Sequence, residues 1–137
     1  MTLALVILGL ALVALPFVME ELRRPMSRVY AKGEVANLSR GGTYYRWTGP
    51  ENGPVAVCVH GLTTPGFVFS GVSRTLAALG YRVLTYDLYG RGHSDRPSGA
   101  QTPAFFLAQL RELLADQKIN GRFTLVGYSM GGAIATA

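Results

Sequence analysis

The chain is poor in the residues that define several protein classes. One cysteine, Cys58, excludes an internal disulfide framework and says little about the compartment. The formal charge of +5 comes from scattered basic residues, with no dense stripe beside stacking aromatics, so nucleic acid is not expected as a partner. Phosphate-loop patterns are also missing. Gly90 and Gly92 in LYGRGHS fit neither GxxxxGK followed by Ser or Thr nor GxGxxG after a first strand. No cofactor and no metal is expected, and there are no internal repeats.

The 137 residues are 49% hydrophobic, enough for at most one domain with a buried core. The apolar content is uneven. Leu3 to Met19, LALVILGLALVALPFVM, has no charged side chain and is near the short end of what spans a bilayer. Nothing basic precedes it, and Ala11 and Ala14 are wrongly spaced for a signal-peptide cleavage site. Residues 1–20 therefore read as a membrane-anchor-like helix and 21–32 as a basic linker. Arg23, Arg24, Arg28 and Lys32 follow the apolar run, so the positive-inside rule predicts a membrane-associated protein whose downstream domain faces the cytoplasm. Pro16 keeps open a buried or surface-lying helix instead.

Residues 33–137 have the pattern of an α/β domain. GEVANLS and TYYRWTG predict two short strands around a turn at Arg40, Gly41 and Gly42. PVAVCVH is apolar without alternation, the mark of a strand covered on both faces, and Cys58 reads as a small core residue inside it. Val68, Val72, Leu76 and Leu79 predict a helix over 67–79 ending at Gly80. YRVLTYD is a second buried strand. Thr102 and Pro103 open another helix, with Phe106, Leu107, Leu110, Leu113 and Leu114 on one face. The chain turns at Asn120 and Gly121, and FTLVGY is the third buried strand. Strand, helix, strand, helix, strand implies a parallel sheet whose strands end at one edge, where ligands sit in such folds. His60 and Gly61, Asp87 to Asp95, and Ser129 each follow one of those strands.

Gly127, Tyr128, Ser129, Met130 and Gly131 form GxSxG between an apolar strand and the helix-like AIATA. In a sharp strand-to-helix turn the serine hydroxyl projects outward, and glycines two before and two after avoid collisions across the turn. Ser129 is the candidate nucleophile. An oxyanion hole would need backbone donors, for which Met130 at the helix start and Leu62 in HGLTTPGF are the candidates.

With VCVHGL, YDLYGRGHSDRP and LVGYSMGG together, the chain resembles the α/β-hydrolase superfamily from about Val35 onward. The resemblance implies a mostly parallel sheet with helices on both faces. It implies a serine hydrolase acting on a carboxylic ester or lipid-like acyl substrate through an acyl-enzyme on Ser129, with the triad in the order serine, acid, histidine. The amides of Leu62 and Met130 would hold the oxyanion, with His60, Gly61, Gly127 and Gly131 as supports. A serine at the elbow points away from the related dehalogenases and epoxide hydrolases, which carry aspartate. The acid and histidine belong on later strands and loops, so the chain reads as truncated after the elbow and inactive alone. His60 and His93 read as loop-ordering residues, and Asp87 and Asp95 as turn-capping carboxylates. Phe67, Val68 and Phe69 suit either an acyl pocket or helix packing. A non-catalytic binding protein on the same fold, or an acyltransferase using the same serine, are the rival readings. Oligomeric state is not legible.

Overall fold

The computed structural model describes residues 2–22, 24–29 and 31–137. Its centre is the apolar segment Val55–Val59 (β3), where Ala56, Val57, Cys58 and Val59 are all fully buried. Period-two alternation explains how one strand feeds two cores. Ala56 and Cys58 pack on one face against Phe69 and Val83, while Val57 and Val59 pack on the other against Leu84, Tyr86, Leu110 and Leu113.

Glu34–Leu38 (β1) and Gly41–Thr48 (β2) form the antiparallel hairpin, with Leu38 paired to Gly41. Arg82–Tyr86 (β4) pairs antiparallel with β2 and parallel with β3, and Phe123–Gly127 (β5) runs parallel on the far side of β3. The five-stranded order is β1-β2-β4-β3-β5. The three segments expected to be parallel are parallel, and their carboxyl ends share an edge. β5 lies at the margin of this sheet, and Phe123 is 36% exposed there, although its sequence reads as buried.

Pro103–Asp116 (α3, following Thr2–Leu22, α1, and Ser70–Ala78, α2) starts as expected: the Thr102 hydroxyl accepts the Phe105 N–H, and proline occupies the first turn. Its Phe105, Phe106, Leu110 and Leu113 face the main core. The helix expected over 67–79 is shorter. Gly66–Phe69 form a 3₁₀ turn before α2, and Val72 and Leu79 are exposed rather than packed. Phe69 is the residue that docks, 5% exposed, against Ala56 and Cys58. Burial pushes the Cys58 thiol up to about 11, as suits a core residue. Met130–Ala135 (α4) follows β5 and buries Ile134 in the main core.

Thr2–Leu22 (α1) is helical through Pro16, and Leu3, Leu10 and Phe17 are exposed. Among the described residues no helix is long and apolar enough to cross a membrane. The anchor expectation thus gains no support from the fold: the uncharged run is short for a span, and two glutamates, Glu20 and Glu21, follow it directly. Arg23, one of the residues behind the predicted orientation, lies outside the described residues. The linker itself is not loose. Met26 N–H donates to Gly92 O at 2.7 Å, and Arg28 reaches His93 O and the Asp95 carboxylate, each at 2.8 Å.

Candidate functional site

Ser129 joins β5 to α4 with φ 53° and ψ −121°. A non-glycine residue in this region is strained, at a cost of about 1–3 kcal/mol, and persists only when its surroundings force it. The forcing contacts are backbone. A side chain at Gly131 would collide with Val59 O, and one at Gly127 would stand 2.5 Å from the Gly132 Cα. Three hydrogen bonds tie the turn down: Tyr128 N–H to Val59 O at 3.0 Å, Gly131 N–H to Tyr128 O at 2.9 Å, and Gly132 N–H to Ser129 O at 2.9 Å. Ser129 stands at the N-cap of α4 without using its hydroxyl as a cap. Its side chain is exposed at the sheet edge.

The loop after β3 comes to the same place. A side-chain carbon at Gly61 would stand 3.0 Å from the Ser129 Cβ, so the two turns are in contact. Met130 opens α4, where a backbone N–H has no acceptor within the helix, and Leu62 follows Gly61 with its side chain half exposed. The structure therefore brings Gly61, Leu62, Gly127, Ser129, Met130 and Gly131 together.

His60 is buried behind this edge. Its Nδ1 lies 2.6 Å from Gly61 O and its Nε2 accepts the Leu88 N–H at 2.8 Å, which fixes the neutral tautomer with the proton on Nδ1. Desolvation lowers its pKa against the opposing effects of the Gly61 hydrogen bond and Asp87. Both ring nitrogens are spent on backbone, so His60 joins the β3 and β4 loops. His93 is placed elsewhere, tilted against Tyr44 with ring centroids 4.7 Å apart and with Nδ1 3.3 Å from Met26 O.

The carboxylates also serve loops. Asp87, 2% exposed, accepts the Gly66 N–H at 2.7 Å and the His93 N–H at 2.8 Å, one on each oxygen. Asp95 accepts Gly42 N–H at 2.7 Å and pairs with Arg28. Sequence reading missed three contributors. Gln109 of α3, 1% exposed, accepts the Tyr89 N–H and donates to Thr43 Oγ1 and Asp87 O. Ser94 donates to Asp87 O at 2.6 Å and accepts the Tyr44 N–H. Arg91 Nε donates to Leu62 O at 2.6 Å, holding the loop carbonyl just beyond Gly61. A buried glutamine inside an apolar helix face was the available signal for the first; the others depend on contacts between distant loops. Among the described residues no cluster of side chains could hold a metal ion.

A strained serine between strand and helix, at the carboxyl edge of parallel strands, is the arrangement of one large family. A sequence model of the alpha/beta hydrolase fold matches residues 54–137, and the chain belongs to that family. It is 34% identical over 84 residues to an uncharacterized protein of Mycobacterium tuberculosis, covering 61% of this chain and 24% of that one. Similarity to the 3-hydroxybutyrate-oligomer hydrolase of Cupriavidus necator is 33% over 102 residues, covering 66% of this chain and 31% of the relative. Among solved structures, the enol-lactonase of Burkholderia xenovorans LB400 superposes with a TM-score of 0.69 at 30% identity, covering 74% of this chain and 39% of that one. The chain thus spans about a quarter of the length of the mycobacterial relative, 24%.

Proposed function

We propose that the protein is a serine hydrolase acting on a carboxylic ester or lipid-like acyl substrate. In this reading Ser129 Oγ attacks the acyl carbonyl while the amides of Leu62 and Met130 hold the oxyanion; the ester's alcohol leaves with the proton that Ser129 gives up, and water then cleaves the acyl-enzyme to the free acid and the regenerated serine. One observation carries the proposal: Ser129 is held at φ 53° and ψ −121° against Gly61, with its hydroxyl uncommitted to the helix cap. Strain of this kind has no packing purpose and projects the hydroxyl from the edge. Hydrolases among the relatives support the reaction class.

His60 spends both ring nitrogens on backbone and His93 sits against Tyr44 and Met26, so residues 1–137 by themselves are proposed not to turn over an ester. Retained binding and oxyanion donors would leave roughly a thousand- to ten-thousand-fold over water. Attachment of the protein to a membrane through its apolar N-terminal run, with the hydrolase domain on the cytoplasmic side as the arginines behind that run direct, is part of this proposal and rests on the sequence alone.

The test is a fluorophosphonate probe applied to the protein expressed from its whole reading frame, followed by peptide mass mapping. Label on Ser129 that vanishes in Ser129→Ala, with folding unchanged, is the expected result. A folded protein that takes no label, or takes it at another residue, removes Ser129 from the role and leaves a binding protein as the reading.

A further inference from the structure

A cavity of about 200 Å³ lies away from the elbow, between β2 and β4 as its floor, the 3₁₀ turn and α2 as one wall, and Met26 and His93 as the other. Its lining has unusual chemistry for the space between a sheet and a helix. Period-two alternation sends Tyr45 toward the main core but turns Tyr44, Arg46 and Thr48 to the opposite face, and Thr85 of β4 pairs with Arg46 in the register. From α2 comes Arg74, beside Ser70 and Ser73. Neither the Arg46 nor the Arg74 guanidinium has a hydrogen-bond or ion-pair partner among the described residues, although the Arg46 carbonyl accepts the Thr85 hydroxyl at 3.3 Å.

We propose that this cavity is a binding site for a phosphate-bearing ligand, held by Arg46 and Arg74. Two guanidinium groups bordering one concavity repel each other, and an anion seated between them converts that repulsion into charge-assisted hydrogen bonds. The one carboxylate in the lining, Asp87, forms no ion pair with either arginine: it is nearly inaccessible and each of its oxygens already accepts a backbone N–H. Thr48 adds a hydroxyl from the floor. A tetrahedral phosphate has enough acceptor oxygens for both guanidinium forks and a hydroxyl together.

The site is distinct from the elbow. Its floor strands β2 and β4 are separated by β3 from β5, which leads into Ser129. Met26, in the wall, lies just past α1. The phosphate could therefore be supplied by a lipid headgroup or by a soluble phosphate ester, and the experiment separates these sources.

Binding of inorganic phosphate and of glycerol phosphate would be measured by titration calorimetry on the whole protein. Flotation with phosphatidylcholine vesicles, with and without phosphatidic acid, would run in parallel. Arg46→Gln and Arg74→Gln are each expected to weaken phosphate-dependent binding about tenfold, and about a hundredfold together. Ser129 labelling and the circular dichroism spectrum should stay unchanged, so failure here is separable from failure of the hydrolase reading. Arginine-dependent gain on phosphatidic acid vesicles alone identifies a headgroup site; arginine-dependent binding of glycerol phosphate identifies a soluble ligand. Absence of both, or binding that survives the double substitution, overturns the proposal.

Discussion

His60 holds Leu88: its Nε2 accepts the Leu88 N–H at 2.8 Å, while its other nitrogen is spent on Gly61. The loop touching Ser129 and the loop after β4 are thereby fastened by one neutral, buried imidazole. Because burial lowers its pKa, the unfolded chain takes up the proton more readily than the native state once pH falls below the ordinary value of 6.5. Stability from His60 is therefore complete above that value and is lost as pH falls from it toward the depressed native pKa. Thermal melts at pH 7.5 and 5.5 should show this loss, and His60→Gln should flatten the part of it that belongs to His60 while lowering stability by about 1–3 kcal/mol at neutral pH.

The elbow glycines make a sharper steric prediction. A methyl group at Gly131 would collide with Val59 O, a backbone atom of the central strand, whereas one at Gly121 would meet open space. Gly131→Ala should cost about 2–4 kcal/mol in urea unfolding, and Gly121→Ala should lie within about 0.5 kcal/mol of the parent. Equal effects at the two sites would mean that the elbow is not packed against β3.

Asp87 separates a loop-holding role from an acid in the chemistry. Asn at position 87 presents one acceptor and one amide to two backbone donors, so either the Gly66 or the His93 N–H must face another donor. Asp87→Asn is expected to destabilise by about 2–3 kcal/mol. Fluorophosphonate labelling of whatever fraction remains folded should persist.

How much of this was readable in advance depends on the range of the interaction involved. GxSxG after an apolar strand forecast the turn because its constraint is local: glycines two residues either side of Ser129 must clear the backbone crossing there. Strand β3 announced itself through VAVCV, since no surface position interrupts the run. By contrast, the insertion of β4 between β2 and β3 has no local signature. Val72 and Leu79 sat at helical spacing yet stayed exposed, because periodicity reports which side chains share a face, not whether anything covers that face. Gln109, Ser94 and Thr43 meet around Asp87 only after the hairpin, the β4 loop and α3 have docked. The same holds for the arginine-lined cavity, whose walls come from segments far apart in the chain.

The strain at Ser129 separates stability from function. Replacing it with glycine removes the penalty of a positive φ, which glycine adopts freely, although it enlarges the entropy lost on folding. The first effect is about 1–3 kcal/mol and the second roughly 1 kcal/mol, so Ser129→Gly should be as stable as the parent or up to about 2 kcal/mol more stable. Ser129→Ala keeps the strain and should show no such gain. Denaturant melts of the two variants side by side provide the comparison, and both should lose the fluorophosphonate label. A glycine variant clearly less stable than the alanine variant would mean that the backbone at 129 is relaxed, and the structural argument for an activated serine would lose its foundation.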